Sequence, residues 1–419
     1  MRSDPDIAYE SLITQANRLI AEPLRETAVS TVIVVDALDE CNDDETSSAI
    51  LSVLGRVISE VPNVKFFVTG RPESRIQTGF RLPLLKKATD VFVLHDVEPS
   101  LITNDIRLFL KHNFLEMANH RGGLDGWPTN EEVERLCKRA AGLFIYAVAT
   151  VKFIDKQSGN PRRQLNLLLQ SPECTSREGK TKVTPNATLD SLYASILQGA
   201  FGDNDDPDND PLVRSVLGAM ILVVNPLSPS AIATLLGLDA EDVFPLLSSA
   251  QSLLILQDTN YPVRPFHKSF PDFIMDPTRC TSRRFHVYPP DHHLRLLTKC
   301  FGLMDRMLEK NTCKLPDGVA NSDVVDLKER VEQYIDPGLR YACTSWHKHF
   351  VSEDTSFIQD NGAIPTLRLF LEKKFLLWLE VLSVLGTVKT AIDAFQALND
   401  KLKVCQSLIT GPFPEIAHT

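Results

Sequence analysis

The chain has 419 residues, of which 43% are hydrophobic, so it is long enough to bury the cores of roughly two to four domains. Its formal net charge is -10, and its isoelectric point is about 5.5. An acidic surface repels phosphate backbones and anionic lipids. We therefore expect protein partners, with no nucleic acid and no membrane as the main partner.

The sequence carries no pattern for secretion or membrane insertion. The first residues, MRSDPDIAYESLITQ, contain two early Asp residues and no apolar core, unlike a signal peptide. The longest apolar runs, VLGAMILVV and GLFIYAVATV, are far shorter than the ~20 residues that a membrane span requires. The eight Cys residues are scattered, with no C-x-x-C pair. We therefore expect free thiols and a cytoplasmic location.

The first hundred residues alternate between helical and strand patterns. Residues 8–24 space Leu and Ile at helical intervals and end at Pro23, which predicts a helix. The runs TVIVV, VKFFVTG (64–70) and DVFVLHDV (90–97) predict three apolar strands, and residues 44–61 predict an amphipathic helix after the first of them. Apolar strands joined by a helix are typical of a buried parallel sheet, so this part is predicted to be α/β.

After Pro99 the patterns become helical. Two polar stretches, 171–188 and 202–211, predict loops. Farther along, three helical patterns precede two short strand patterns, LILQD and VRPF, and one more helix, an order that suggests a winged-helix module. Trp346 and Trp378 are expected to anchor a C-terminal helical core. The predicted domain boundaries are 1–99, 100–170, 171–211, 212–290 and 291–419.

Two metal-binding alternatives are weak. The loop GDNDDPDNDP loosely resembles a calcium loop, but it has Pro211 in place of the glycine and no Glu at the twelfth ligand position. Cys280, Cys300 and Cys313 lie near a His-His pair in the sequence, but their spacing fits no common zinc site. We expect a solvated loop and half-buried thiols, respectively.

The candidate site lies in the run TVIVVDALDEC. A parallel strand that ends in Asp36 delivers a carboxylate to the ligand crevice at the carboxyl edge of the sheet. In P-loop NTPases such an Asp holds Mg²⁺, and a nearby acidic residue positions the attacking water. Asp39 and Glu40 are the candidates for that second role. On pattern alone, a strand that ends at an exposed turn, with Asp39 capping the next helix, fits equally well.

The order of motifs resembles NACHT-type NTPases, the nephrocystin-like group within the STAND class of signalling ATPases. VIVVDALDEC and VKFFVTGRPESRI are similar to the Walker B and sensor 1 segments of that family. GLFIYAVATVKFI resembles the segment that closes its small helical domain. PFHKSFPDFIMDPTRC and LRYACTSWHKHF resemble its winged-helix and downstream helical regions, and FLLWLEVLSVLGTV resembles the stretch that precedes a repeat array.

This resemblance implies a fold and a set of roles. The fold class is α/β plus α: a partial P-loop NTPase domain with a parallel sheet, then a helical domain, a winged helix and a C-terminal helical region. Asp36 is implied to be the Mg²⁺ ligand, and Glu40 or Asp39 the residue that orients the hydrolytic water. The cofactors implied are Mg²⁺ and ATP or ADP.

Two further residues are implied to contact phosphates. Arg71 stands where the sensor detects the γ-phosphate, the alternative being a surface Arg paired with Glu73. His267 stands where a winged-helix His contacts the β-phosphate, the alternative being a His satisfied by a backbone carbonyl. In GLFIY, Phe144 replaces the proline that the family places against adenine, which puts base contact at this position in doubt.

The chain departs from the family at its phosphate loop. Its first glycine is Gly55, so no G-x-x-x-x-G-K-[ST] segment precedes Asp36. We therefore expect a truncated form that lacks this loop and the C-terminal repeats, binds no nucleotide tightly and is inactive by itself. The alternative is a non-catalytic interaction module that binds full-length NACHT relatives. A metal-dependent nuclease is disfavoured because the chain lacks a basic surface.

Overall fold

In the computed structural model the chain divides into two units, Met1–Val97 and Glu98–Thr419. The structure describes residues 7, 10–27, 29–41, 44–156, 159–170, 185–202, 210–352 and 363–406. Within those ranges, no helix combines the length and apolarity of a membrane span. The described chain is mostly helical with one small parallel sheet, which confirms the α/β plus α class.

The parallel sheet of the first unit consists of β1 (Thr31–Val35) and β2 (Val64–Val68). Their register sets Thr31 opposite Val64 and Val35 opposite Val68. The connection between them contains the helix Asp44–Glu60, so the predicted strand–helix–strand order is confirmed. The helices of this unit are α1 (Leu12–Ala16), α2 (Glu22–Thr27), α3 (Asp44–Glu60), α4 (Ser74–Phe80) and α5 (Pro83–Lys86).

Only one face of this sheet is covered by described residues. On the covered face, Ile33 and Phe66 pack against a cluster that includes Val57 of α3. On the other face, Val32 and Val34 are 63% and 64% exposed, and Phe67 is 61% exposed. The prediction of a buried sheet is therefore wrong for this face. An apolar run indicates a strand that is compatible with burial on both faces. It does not show whether other segments of the chain cover the second face.

The predicted third strand, 90–97, is not formed. Residues 91–93 belong to no strand, and Leu94–Asp96 is a short 3₁₀ turn. Val91 and Phe92 are 76% and 77% exposed. Among the described residues β1 and β2 pair only with each other, so this segment has no strand partner. A β-branched run adopts strand structure only where a neighbouring backbone accepts its hydrogen bonds.

The first helical segment does not end at Pro23. A π-helical turn, Asn17–Ala21, joins α1 to α2, and α2 continues to Thr27. The N–H of Glu22 bonds to the carbonyl of Asn17, five residues back. The wider turn precedes the proline, which lacks an N–H. Pro23 therefore lies inside a continuous helical segment, 12–27, and the wider turn before it is a π-bulge, a local irregularity of the kind found at kinks within helices.

The second unit is helical around one small hairpin, in which β3 (Leu254–Ile255) pairs antiparallel with β4 (Arg264–Pro265). Three helices before the hairpin and one after it occur in the predicted order. Its helices are α6 (Pro99–Arg121), α7 (Asn130–Ala140), α8 (Phe144–Ile154), α9 (Pro161–Gln170), α10 (Pro185–Phe201), α11 (Asp210–Leu222), α12 (Pro229–Leu236), α13 (Ala240–Ser249), α14 (Ser269–Met275), α15 (Pro289–Met307), α16 (Leu327–Tyr334), α17 (Pro337–Ser352), α18 (Ala363–Lys373), α19 (Phe375–Val384) and α20 (Lys389–Gln406).

One continuous hydrophobic cluster fills this unit, from Ile106 on α6 to Leu398 on α20. Trp346 and Trp378 have no exposed surface, and their ring centroids lie 5.7 Å apart. The prediction that they anchor the core is confirmed. The predicted loops 171–188 and 202–211 lie mostly outside the described residues, and their last residues already belong to α10 and α11.

Candidate functional site

The carboxyl ends of the two parallel strands meet at one edge of the sheet. β1 ends at Val35 and β2 at Val68, and the pairing continues one step beyond them. The N–H of Thr69 donates to the carbonyl of Val35 at 2.9 Å, and the N–H of Leu38 donates to the carbonyl of Thr69 at 2.9 Å. The segments that follow the strands are therefore fixed side by side, which brings their polar side chains together.

Asp36 is exposed at this edge and is bound by a residue of the neighbouring strand end. The Thr69 hydroxyl donates a hydrogen bond to Asp36 Oδ1 and accepts one from the backbone N–H of Ala37 at 2.8 Å. Ala37 has a φ of 52°, in the left-handed region. This conformation is costly for a residue with a Cβ and is found mainly where the surroundings enforce it, as at functional turns. The turn holds the Asp36 carboxylate at the strand end.

Asp39 lies in a 3₁₀ turn, Leu38–Glu40, and is only 4% exposed. Its Oδ1 accepts a hydrogen bond from the backbone N–H of Arg71 at 3.1 Å, and its Oδ2 lies 3.5 Å from Arg71 Nε. Its backbone carbonyl accepts from Arg75 Nη2 at 3.0 Å. The buried carboxylate is thus compensated by the segment after β2, as a buried charge must be.

Glu40 and Arg71 complete the group at the sheet edge. Glu40 is exposed, and 44% of the Arg71 side chain is exposed. The Glu73 carboxylate is 2.7 Å from Arg75 Nη2. The structure therefore brings the sequence-predicted residues of the first unit to one place, with a cation, two exposed carboxylates and one buried carboxylate.

Sequence reasoning missed Thr69 and Arg75. The role of Thr69 depends on the strand register, which sets Val35 opposite Val68 and so brings the next residues, Asp36 and Thr69, together. A hydroxyl beside a strand-end Asp is a natural hydrogen-bond donor to it. Arg75 lies inside α4, where no pattern distinguishes it from an ordinary helical Arg.

His267 belongs to the second unit and lies between β4 and α14. Its Nδ1 accepts the backbone N–H of Ser269 at 3.1 Å and lies 2.7 Å from the Ser269 hydroxyl. That hydroxyl is also 2.7 Å from the Tyr193 hydroxyl. Because Nδ1 accepts a backbone N–H, the neutral ring carries its proton on Nε2. The ring is thus a fixed N–H donor, which is the role that a phosphate contact requires.

A small cleft with a cavity volume of about 10 Å³, room for about one water molecule, adjoins His267. Ligand pockets for drug-sized molecules usually exceed roughly 300 Å³, so this cleft is smaller than a whole nucleotide requires. Its lining residues are Ile145, Ala149, Tyr193, Ser252, Leu253, Phe266, His267 and Phe270. Ile145 is part of GLFIY, so the structure brings His267 and that segment to one cleft. Phe144 itself is 43% exposed.

A lysine beside this cleft was not predicted from the sequence. Lys152 of α8 places its Nζ 3.3 Å from the centroid of the Phe266 ring, which lines the cleft. Partial burial lowers the pKa of the Lys152 ammonium below its ordinary value. A cation over an aromatic face is a stable arrangement, and it puts positive charge beside the cleft.

Two comparisons relate the chain to known proteins. The family model "Nephrocystin 3, N-terminal" matches residues 2–71, which include both strands and the site of the first unit. The "Vegetative incompatibility protein HET-E-1" of Podospora anserina is 24% identical over 404 residues, which are 89% of this chain and 27% of that protein. The chain thus spans about a quarter of its relative's length. Together the two matches support a resemblance to NACHT-like proteins.

Proposed function

We propose that this chain is part of a nucleotide-dependent signalling switch of the NACHT type. The observation that carries the proposal is the convergence of Asp36, Asp39, Glu40 and Arg71 at the carboxyl edge of a parallel strand pair. That edge is where α/β proteins bind nucleotides. Phosphoryl transfer requires a metal-binding carboxylate, a residue that orients water and a cation for the γ-phosphate. The four residues supply these three groups.

Each residue then has a distinct role. Asp36 would hold Mg²⁺, because an exposed carboxylate oxygen is the ligand that this ion prefers. The ion supplies positive charge that neutralises the phosphates. Glu40, being exposed, is assigned to orient the attacking water. Asp39 contacts Arg71, and a γ-phosphate would compete with Asp39 for the guanidinium.

The second unit carries His267, the residue that the family resemblance relates to the β-phosphate. Helices α11–α13, the β3–β4 hairpin and α14 follow the order of a winged-helix module, with His267 just after the hairpin. The fixed Nε2–H of its neutral ring is suited to donate to a phosphate oxygen. We assign His267 the role of detecting whether ADP is bound.

The 419 residues by themselves lack one part of such a site. No glycine precedes Gly55, so no backbone cradle for phosphates lies ahead of Asp36 within them. We therefore propose that this chain alone binds MgATP no more tightly than roughly millimolar, about 4 kcal/mol. It would show no ATP turnover alone.

Calorimetric titration tests the proposal in two steps. The chain alone is titrated with MgATP, and micromolar affinity would contradict the role given to the missing loop. A longer protein, in which a segment carrying G-x-x-x-x-G-K-[ST] is joined ahead of residue 1, is then expected to bind and hydrolyse MgATP. In that protein Glu40→Gln should abolish turnover and retain binding, whereas the exposed control Glu22→Gln should change neither. If the longer protein folds but binds no nucleotide, the proposal of a nucleotide-dependent switch is wrong.

His267 is tested in the same longer protein. His267→Ala is expected to speed ADP release, because a donor to the β-phosphate is lost. The matched control is His112→Ala, at an exposed histidine on α6. Equal ADP release rates in all three proteins would exclude His267 from the nucleotide site.

A non-catalytic interaction module is the second candidate. It is favoured by the apolar sheet face of Val32, Val34 and Phe67, which the described residues leave exposed. Parallel strands are usually covered by helices on both faces, so the occupant would be a helix of a longer homologous NACHT-type protein in the cytoplasm. Val34→Lys should then weaken the complex with such a protein, with or without nucleotide. The control is Val388→Lys at an exposed position of the second unit.

A further inference from the structure

The hydroxyl of Thr69 has a fixed direction of hydrogen bonding. It accepts the backbone N–H of Ala37 at 2.8 Å, and it forms a second hydrogen bond with Asp36 Oδ1. A carboxylate can only accept, so Thr69 is the donor in this second bond. The backbone of Thr69 is fixed as well, because its N–H donates to the carbonyl of Val35 and its carbonyl accepts the N–H of Leu38, both at 2.9 Å.

The two oxygens of the Asp36 carboxylate are therefore unequal. Oδ1 is bound to the Thr69 hydroxyl, whereas Oδ2 accepts no hydrogen bond from any residue that the structure describes. The strand end at Val35 and the left-handed turn at Ala37 hold the backbone on both sides of Asp36. Because the side chain itself is exposed, a cation that arrives from solvent meets one available oxygen, Oδ2.

A carboxylate held in this way suits Mg²⁺ better than Ca²⁺. Mg²⁺ demands near-ideal octahedral geometry, keeps several of its waters and is usually held by few carboxylates together with the phosphates of a substrate. Ca²⁺ takes more oxygens and often binds both oxygens of one carboxylate. Asp36 offers the single oxygen that Mg²⁺ uses, and its bound Oδ1 denies Ca²⁺ a contact through both oxygens. The donor that the structure presents thus fits the smaller ion.

We propose that Thr69 is a positioning residue that sets the preference of this site for Mg²⁺ over Ca²⁺, by keeping Asp36 Oδ1 occupied. The inference rests on the proposed function, because it takes Asp36 as the metal ligand of a nucleotide site. Thr69 acts only through Asp36 and is assigned no contact with the metal or the nucleotide. When a residue that orients a metal ligand is replaced, metal affinity typically falls by about 10–100-fold.

The full chain without nucleotide tests the hydrogen bonds first. Thr69→Val keeps the branched shape but lacks the hydroxyl, so it removes both the acceptor of the Ala37 N–H and the donor to Asp36. Hydrogen exchange followed by mass spectrometry should therefore be faster in peptides that cover 31–40. Thr69→Ser keeps the hydroxyl and should retain slow exchange. The control is Thr78→Val, which removes an exposed hydroxyl that bonds within α4. Slow exchange in Thr69→Val would overturn the proposal.

Metal preference is measured in the longer protein that carries the phosphate loop, by calorimetric titration with ATP and either Mg²⁺ or Ca²⁺. Thr69→Val should weaken MgATP binding about tenfold. CaATP binding should change little, because the released Oδ1 becomes a second ligand for Ca²⁺. The ratio of the two affinities should therefore fall about tenfold. A loosened turn alone would weaken both complexes alike. Thr69→Ser and Thr78→Val should keep the ratio of the unaltered protein.

The outcomes separate this inference from the proposed function. If the unaltered longer protein binds MgATP but Thr69→Val leaves the ratio unchanged, Thr69 does not set the metal preference, and the nucleotide switch stands. If the unaltered longer protein binds neither complex, the proposed function fails and this inference fails with it.

A double variant checks the route of the effect. In the Asp36→Ala background, Thr69→Val should alter neither affinity further, because the carboxylate through which Thr69 acts is gone. A further change in the ratio of the two affinities in that background would overturn the proposal, since Thr69 would then act on the metal by another route.

Discussion

The side chain of Asp39 accepts a hydrogen bond of 3.1 Å from the backbone N–H of Arg71, joining the turns that follow the two parallel strands. The same carboxylate is 4% exposed. A residue that the sequence marks as a catalytic candidate is thus also a structural link. Its replacement therefore has a structural effect that must be separated from any effect on nucleotide chemistry.

We expect Asp39→Ala to loosen the ends of β1 and β2. The change leaves the Arg71 N–H without its carboxylate acceptor at a partly buried position, which costs up to roughly 1–3 kcal/mol. Hydrogen exchange followed by mass spectrometry should show faster exchange in peptides that cover 31–40 and 64–71. Glu40→Ala, at the exposed neighbour, should leave exchange unchanged. Equal exchange in both variants would mean that Asp39 does not hold this edge together.

A buried chain of hydrogen bonds lies between α15 and α17. The Tyr341 hydroxyl accepts the backbone N–H of Val224 at 3.2 Å and lies 2.6 Å from His349 Nε2. His349 Nδ1 lies 2.9 Å from His293 Nδ1.

Burial lowers the pKa of His349 to about 3 and also lowers the pKa of His293. Burial together with the neighbouring Lys348 lowers the pKa of His347 to about 4.

These histidines should make the second unit sensitive to acid. In the unfolded chain they titrate near pH 6.5. Because the folded pKa values of His347 and His349 are about 4 and about 3, the unfolded state binds more protons at these two residues from about pH 6.5 down to about pH 4. The free energy of unfolding therefore falls as the pH falls through that window, by roughly 1.4 kcal/mol per pH unit for each such histidine.

Urea unfolding followed by tryptophan fluorescence measures this dependence at several pH values. His347→Asn should reduce the slope of unfolding free energy against pH by about one proton. His112→Asn, at an exposed histidine on α6, is the control. If the unfolding free energy depends on pH equally in all three proteins, then His347 binds the same number of protons in the folded and unfolded states.

The two core tryptophans provide a matched pair for measuring one buried hydrogen bond. Trp378 Nε1 donates to the carbonyl of Cys343 at 2.8 Å. Trp346 Nε1 is buried without a hydrogen-bond partner among the described residues. Replacement by Phe removes the same atoms at both sites. Trp378→Phe should therefore destabilise the protein by about 1–2 kcal/mol more than Trp346→Phe, as measured by urea unfolding. The reverse order would show that local packing outweighs the hydrogen bond.

Local patterns predicted most elements here, whereas relations between distant segments had to come from the structure. The alternation of strand and helix, the hairpin before α14 and the burial of both tryptophans all follow from short-range spacing. The segment 90–97 has the composition of a strand, but a strand also depends on a partner that composition does not encode. The contact of Asp36 with Thr69 required the register of two strands. The pattern of a buried strand likewise could not show that Val34 lies on an uncovered face.

The last prediction concerns the unequal stability of the two units. The core of the first unit consists of two small clusters, one around Val57 and Val64 and one around Leu51 and Leu54. The second unit has one continuous cluster from α6 to α20. Hydrophobic stabilisation scales with the apolar area that is buried, and an apolar sheet face left in water contributes nothing to it.

We therefore expect limited proteolysis of the full chain to cut first within residues 31–97 and to leave a resistant fragment that includes 212–352. Chymotrypsin suits this test, because Phe67 and Phe92 are 61% and 77% exposed. If exposure alone determined the cleavage, Tyr261 and Tyr288 of the second unit, 49% and 50% exposed, would be cut at similar rates. Cleavage also requires local unfolding, which the continuous core around α11–α17 resists. If residues 31–97 resist cleavage as strongly as 212–352, the expectation is wrong. The two strands and their helices then form a stable unit although one face of the sheet is uncovered.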